Sequence, residues 1–518
     1  MKSRSSAFSF RPHPHLFELN TWVWLSELSL KRNRTLRLAD VPDREWDDLQ
    51  AKGFDGVWLM GIWERSPRSR QIARAYPDLQ KEYAQALPDW QPADVVGSPY
   101  SIRAYRPDPE LASWEQLEEV KEKLHDRGMK LILDFVPNHT ALDHEWVVHH
   151  PEYYIQGAST EAMNYPSEFF SVETSEGIRY LAHGKDPHSS PWTDTAQLNF
   201  FHPHTRQALL HELQNMADCC DGVRCDMAML VLNEVFGQTW KNQVTGLESP
   251  NKEFWSEAIA LLPGFIWMAE VYWEREWELQ QLGFHYTYDR RLYQRLRFSS
   301  PHEVALHLQA NLDYQCRSVR FMENHDEERA MVVFGAKKHE AVSLVMATIP
   351  GMRFYHQGQL EGRRLRIPVQ LARASLEMPD RDVQQWYERL LSITNEEVFH
   401  LGRWRIVSIL SSVDSSCEPL IAYQWKLGTK RALVVVNLSA LPAGGTVFLD
   451  DEVSKHDQPV STDFITVQEL FTNAESKWKQ GELSQQGLPV QVPPHEGRIF
   501  FMVQDAEDRS GDVREDVR

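Results

Sequence analysis

Three carboxylates, Asp226, Glu270 and Asp326, each follow a short apolar run: Asp221-Gly-Val-Arg-Cys-Asp226, Phe265-Ile-Trp-Met-Ala-Glu270 and Val319-Arg-Phe-Met-Glu-Asn-His-Asp326. A further run, Leu131-Ile-Leu-Asp-Phe-Val-Pro-Asn-His-Thr140, ends in the same way. An apolar segment that stops abruptly in charged and hydrogen-bonding residues is how a buried parallel strand delivers reactive groups to a barrel rim. Carboxyls on separate strand ends are the equipment for breaking a glycosidic bond with retention. One ionised group attacks the anomeric carbon and a second, protonated group gives its proton to the leaving oxygen. Asp226 suits the nucleophile, because Arg224 projects from the same strand face two residues earlier and favours the ionised form. Glu270 suits the acid, because the apolar run before it raises its pKa. Asp326, beside His325, is placed to hydrogen-bond sugar hydroxyls and to stabilise positive charge at the anomeric centre. A lone Asp after a strand is most often a helix cap; three carboxylates in the same pattern outweigh that reading.

His139 and His325 also fall at strand ends, where imidazole can donate to ring hydroxyls. His202-Pro-His204 and the trio His144, His149 and His150 invite a zinc reading, but no HExxH and no cysteine partners accompany them, so no metal is expected.

To bring these groups together the chain needs a closed sheet. Short apolar runs at residues 19–24, 56–60, 131–135, 222–225, 265–269, 285–288, 319–322 and 352–355 alternate with amphipathic stretches such as 113–127 and 205–219. That alternation predicts an α/β fold, a (β/α)8 TIM barrel over residues 1–140 and 201–400. The third and fourth runs are too far apart for one crossover helix, so residues 141–200 read as a subdomain inserted after strand 3. From 401 to 504 short strands follow one another without helices, which predicts a C-terminal antiparallel β-sandwich, with turns at 442–446 and 493–497. The polar residues 505–518 read as a disordered tail.

Composition narrows the partners. Seventy-four acidic against fifty-five basic side chains give a net charge of −19, which argues against nucleic acid and anionic membranes. No apolar stretch has the length of a signal peptide core or a membrane span, and five cysteines without paired spacing fit a reduced, cytoplasmic protein. The eighteen tryptophans offer flat faces suited to sugar rings.

The segments together resemble the signature regions of the α-amylase family of glycoside hydrolases. Asp134-Phe-Val-Pro-Asn138-His139 is similar to the first region, Gly222-Val-Arg224-Cys-Asp226 to the second, Glu270-Val-Tyr to the third and Glu323-Asn324-His325-Asp326 to the fourth. Gln197-Leu-Asn199 and the segment 351–359 match two further family motifs, so the resemblance spans about 380 residues. It implies the same three roles for Asp226, Glu270 and Asp326, with Tyr100 stacking on the sugar at the cleavage subsite. It also implies Arg224, His139 and His325 as binding residues, Asp134 and Asn138 as anchors of the rim, and Asn138 as a calcium ligand in many members. No set of six or more oxygen ligands at defined spacing accompanies Asn138, so no cofactor is required.

Where such enzymes usually carry Lys-His after the nucleophile, this chain has Met229-Leu230, which removes hydrogen-bond donors from the leaving-group side and disfavours endo-acting starch hydrolysis. Arg65, Arg353, Arg363 and Arg364 could form an anion-binding rim. The expectation is a retaining hydrolase or transglycosidase acting on small α-glucosides or oligosaccharides through a covalent glycosyl-enzyme. The alternatives are a sugar phosphorylase or isomerase on the same scaffold, or a carbohydrate-binding barrel without catalysis.

Overall fold

The structure is a computed structural model, and it describes residues 10–411, 416–449 and 464–504. The expected tail, 505–518, lies outside the described residues. Packing divides the described residues into two compact units, one of those up to Arg290 with Asp313–Val333 and Gly351–Glu388, the other of Arg291–Leu312 with Phe334–Pro350 and those from Arg389 onward.

The first unit holds a closed barrel of eight parallel strands: β1 (His15–Asn20), β2 (Gly56–Met60), β3 (Lys130–Phe135), β4 (Gly222–Cys225), β5 (Ile266–Ala269), β6 (Tyr286–Tyr288), β7 (Ser318–Arg320) and β8 (Met352–His356). Each strand pairs with its sequence neighbour and β8 closes on β1, with His15 opposite Arg353 and Glu18 opposite His356. Val57, Trp58, Leu59 and Met60 are all fully buried, as strands covered on both faces must be. Gly222 is required by close approach, since a Cβ there would lie 2.4 Å from the Ile266 carbonyl of the neighbouring strand.

The first strand departs from expectation. Residues 19–24 were expected to be extended, but the strand ends at Asn20, whose side chain accepts from the Val23 amide and caps the helix Thr21–Arg32. The strand begins earlier, at a segment whose polar His15 and Glu18 disguise it. Both are fully buried.

Two insertions interrupt the alternation. Between β2 and β3, strands Trp63–Arg65 and Ile102–Pro107 pair antiparallel and bracket helices Pro67–Ala75 and Pro77–Ala86. Ala73, Tyr83, Ala86, Leu87 and Val95 of this insertion form a small core with Leu371, which lies past β8. The insertion after β3 contains the pairing of His139–Ala141 with Thr195–Gln197 and the hairpin Phe169–Thr174 with Gly177–Ala182.

In the second unit a six-stranded sheet runs in the order Arg403–Ile406, Leu420–Leu427, Lys430–Asn437, Gly497–Gln504, Phe464–Glu469, Glu475–Lys479, and a three-stranded sheet in the order Ser408–Ser411, Ala443–Phe448, Leu488–Val492. Val407, Leu433, Val435, Val447, Val490 and Met502 share one core with residues of both sheets. The expected turn at 442–446 is in fact mostly strand. Gly444 and Gly445 sit where neighbouring strands leave no room for a side chain, a Cβ at Gly445 falling 2.5 Å from the Leu410 carbonyl. Residues 291–312, 334–350 and 389–400, expected in the barrel domain, group with these sheets. Helix Gly335–Thr348 buries nine residues, and Thr348 takes hydrogen bonds from the sheet through Tyr423 Oη and Trp425 Nε1, each at 2.6 Å. Among the described residues no helix is long and apolar enough to cross a membrane.

Candidate active site

Asp226 and Glu270 follow β4 and β5 directly, and Asp326 lies on the loop beyond β7, so the barrel brings all three to one rim. The third residue of β4 joins two of them. Arg224 is fully buried, its Nη1 donates to Asp226 Oδ1 at 2.5 Å, and its Nη2 lies 2.9 Å from Glu270 Oε2. The rings of Trp58, Tyr100 and Tyr288 surround the guanidinium at 5.3, 5.2 and 5.7 Å. A cation shared in this way holds the two carboxyls on one guanidinium, at its two terminal nitrogens.

Glu270 is further fixed on both oxygens. Tyr272 donates to Oε1 at 2.7 Å and the Met227 amide to Oε2 at 2.8 Å. Met227 reaches it from a left-handed backbone, φ 43°, a conformation that costs a non-glycine residue about 1 kcal/mol or more and is typical of constrained functional sites.

The charges divide the carboxyls by role. Burial drives Glu270 up to about 7 against the opposing pull of Arg224, with the negative charges of Asp226 and Asp326 adding to the rise. Burial raises Asp226 too. Arg224 lowers it by charge and hydrogen bond, the direction expected of it, but burial outweighs that and leaves the carboxyl above its ordinary range. Asp326 ends below the ordinary range: burial works upward, but the charge and hydrogen bond of His325 outweigh it, and the carboxyl is half exposed to the cavity. His325 is held well above an ordinary imidazole; burial opposes its charge, and the Asp326 and Glu18 carboxylates on either side restore it. Tyr100 Oη lies 2.6 Å from His325 Nε2 and the two rings stack.

Asp134 anchors the rim. Its Oδ1 accepts from Trp58 Nε1 at 3.2 Å and its Oδ2 from the Gly61 amide at 2.8 Å, and burial lifts it to about 6. Asn138 and Gln197 clasp each other, Asn138 Nδ2 donating to Gln197 Oε1 at 3.1 Å and Gln197 Nε2 to Asn138 Oδ1 at 3.0 Å. Asn138 Oδ1 thus already accepts one hydrogen bond, and among the described residues no group of three or more His, Cys, Asp or Glu gathers as a metal site.

His139 lines the cavity, but its donor is spent. Burial pushes its pKa down to about 4, Asn138 Nδ2 faces its Nδ1 at 3.3 Å, and Nε2 faces the Tyr100 carbonyl at 3.1 Å. The hydrogen-bond network therefore places the ring proton on Nε2, pointing at Tyr100 and not at a sugar hydroxyl.

A cavity of about 470 Å³ holds Tyr100, His139, Asp226, Glu270 and Asp326 together. Other parts of its wall, among them Ile72, Tyr76, Leu79, Trp192 and Gln370, escaped the sequence reading. These residues lie on the two insertions and past β8 and follow no strand-end pattern; partly exposed apolar residues on otherwise polar helices were the one available signal. Met229 and Leu230 are buried in the turn Ala228–Val231, and it is Met227 that meets the cavity. The anticipated arginine rim does not form. Arg65 donates to the carbonyls of Gly97 and Val369 at 2.7 and 2.9 Å, Arg353 is buried against His15 Nε2 at 3.2 Å, Arg363 pairs with both oxygens of Glu27, and Arg364 faces solvent.

The model of the α-amylase catalytic domain matches residues 45–258. The chain is 26% identical over 445 residues to alpha-amylase MalA of Haloarcula japonica, covering 81% of this chain and 57% of that protein. It is 22% identical over 306 residues to alpha-amylase 3 of Dictyoglomus thermophilum, covering 54% and 56%. The chain thus spans little more than half the length of these curated relatives. The solved structure of a noncanonic maltogenic alpha-amylase, AmyB of Thermotoga neapolitana, superposes with a TM-score of 0.64 at 18% identity, over 95% of this chain and 99% of that one.

Proposed function

We propose that the chain is a member of the α-amylase family of glycoside hydrolases and a retaining enzyme cleaving α-glucosidic bonds in short α-glucosides, with Asp226 as nucleophile, Glu270 as acid and base and Asp326 as the stabilising carboxylate. The observation that carries this reading is the single guanidinium of Arg224 shared by Asp226 and Glu270 in a cavity with Asp326. Protonated Glu270 gives its proton to the glycosidic oxygen as an Asp226 oxygen bonds to the anomeric carbon and the bond to the leaving group breaks. Positive charge at the ring in the transition state faces Asp326, kept ionised by His325. Ionised Glu270 then takes a proton from water, whose oxygen displaces Asp226.

A cavity of this volume is in the range of drug-sized ligand pockets, which supports one or two sugar units over a polymer. A sugar hydroxyl in place of water would make the enzyme a transglycosidase. A phosphorylase is disfavoured by the internal engagement of Arg65, Arg353 and Arg363. Five free cysteines, three of them buried, support a reducing, cytoplasmic setting.

The test is incubation with maltose, isomaltose, trehalose and aryl α-glucosides, with products read by chromatography and the first-formed anomer by NMR. An α-anomer is expected; a β-anomer, or no turnover with or without phosphate, overturns the reading. The pH profile adds a second check. Glu270 must carry its proton, so kcat/KM falls as pH rises through about 7, and a profile flat to pH 9 would remove Glu270 as the acid. With Asn138 Oδ1 engaged by Gln197, exhaustive chelation is expected to leave kcat and Tm unchanged; a loss restored by added calcium would refute this.

A further inference from the structure

Glu18 is a charged side chain that nothing in the barrel scaffold explains. It lies in β1, fully buried, opposite His356 of β8 and Trp58 of β2. A carboxylate in such a place is costly unless it is hydrogen-bonded to a cation. Its Oε1 accepts from His325 Nδ1. Its Oε2 has no hydrogen-bond partner among the described residues and stands 4.0 Å from His356 Nε2. His325 in turn holds the site through its other nitrogen, 3.0 Å from Asp326 Oδ2 and 2.6 Å from Tyr100 Oη.

We propose that Glu18 is a positioning residue of this site, acting through the His325 ring to fix where the Asp326 carboxylate and the Tyr100 hydroxyl meet the substrate. The proposal rests on the glycosidase reading above. Its physical basis is proton arithmetic on one ring. With a carboxylate at each nitrogen, His325 satisfies both only by carrying two protons. The groups facing the ring are Glu18 from β1, the uncharged Trp58 ring from β2 at 5.4 Å, Tyr100 from the insertion after β2 and Asp326 from its own loop, with the Asp134 carboxyl on β3 close enough to feel its charge. Two carboxylates in contact outweigh the burial that would otherwise discharge the ring. Remove the charge of Glu18 and the ring keeps one proton. That proton stays on Nε2, against the Asp326 carboxylate, and the amide introduced by Glu18→Gln donates to the bare Nδ1. A neutral imidazole holds Asp326 less firmly than an imidazolium does, so the Asp326 carboxylate and the Tyr100 hydroxyl lose part of their fixed position.

The test uses the full chain and Glu18→Gln. Imidazole ¹⁵N resonances of His325, identified by their loss in His325→Asn, are expected to report a doubly protonated ring up to pH 8 in the parent protein and a singly protonated one in E18Q. At unchanged Tm, kcat for an aryl α-glucoside is expected to fall at least 10-fold with KM within about threefold. Glu18→Asp, which keeps the charge on a shorter arm, should retain the doubly protonated ring and recover part of kcat. A parent ring already neutral at pH 7, or an E18Q protein with an unchanged ring or unchanged kcat, overturns the proposal while the glycosidase reading stands. A parent protein inactive on every α-glucoside removes that reading, and the positioning role with it. If E18Q does not fold, the parent resonance and E18D still decide.

Discussion

Asp226→Asn is expected to lower kcat/KM by about 10⁴-fold or more with the barrel intact, because the covalent step has no substitute for an oxygen nucleophile at that point. The fold tolerates the change: Asn is nearly isosteric, and Arg224 keeps Glu270 Oε2 at 2.9 Å and its three aromatic neighbours. Circular dichroism and Tm report the fold, and steady-state rates on aryl α-glucosides report the loss. Asp226→Gly provides the complementary result. Azide entering the vacated space attacks the anomeric carbon from the face Asp226 used, so a glucosyl azide of inverted configuration accumulates. Activity within tenfold of the parent in D226N would assign the nucleophile elsewhere.

The second large effect is that of Glu270→Gln. General acid catalysis contributes about 10²–10⁴-fold, and the loss depends on how much help the leaving group needs. For maltose, whose leaving alkoxide must be protonated, kcat is expected to fall through most of that range. For glucosyl fluoride or a dinitrophenyl glucoside the first step should be nearly unaffected. The decline in kcat/KM above pH 7 should disappear for such substrates, since the group raised to about 7 is gone. Equal losses on good and poor leaving groups would show that Glu270 binds or orders the site and does not transfer a proton. The sign is particular to this site. Asp226, Asp326, Asp134 and Glu18 crowd negative charge around Arg224 and His325, and a proton on Glu270 relieves that excess.

Much of this arrangement was legible before folding was considered. β2 and β4 matched their expected bounds, and β3, β5, β6, β7 and β8 lie within two residues of theirs at either end, because a parallel strand covered on both faces reads as a largely apolar run. The carboxylates stood out as the places where those runs stop. β1 was misplaced for the converse reason. His15 and Glu18 are buried on opposite faces of the strand, and their partners Arg353 and His325 lie more than three hundred positions away. The arginine rim failed similarly, since a local reading sees Arg65 and Arg353 as charge, whereas burial spends them on carbonyls and a histidine.

By itself the chain of amino acids determined the kind of sheet, the order of its strands and the three acidic side chains that end them, since those follow from local apolar patterning and from residue type. Tertiary structure alone decided which proton each group holds. That Glu270 rises while Asp326 falls, that His139 spends its donor on a backbone carbonyl, and that an unheralded insertion walls the cavity with Ile72, Tyr76 and Leu79 are consequences of neighbours remote in sequence. A pKa and a hydrogen-bond partner belong to the surroundings of a side chain, and those surroundings exist only after the barrel has closed.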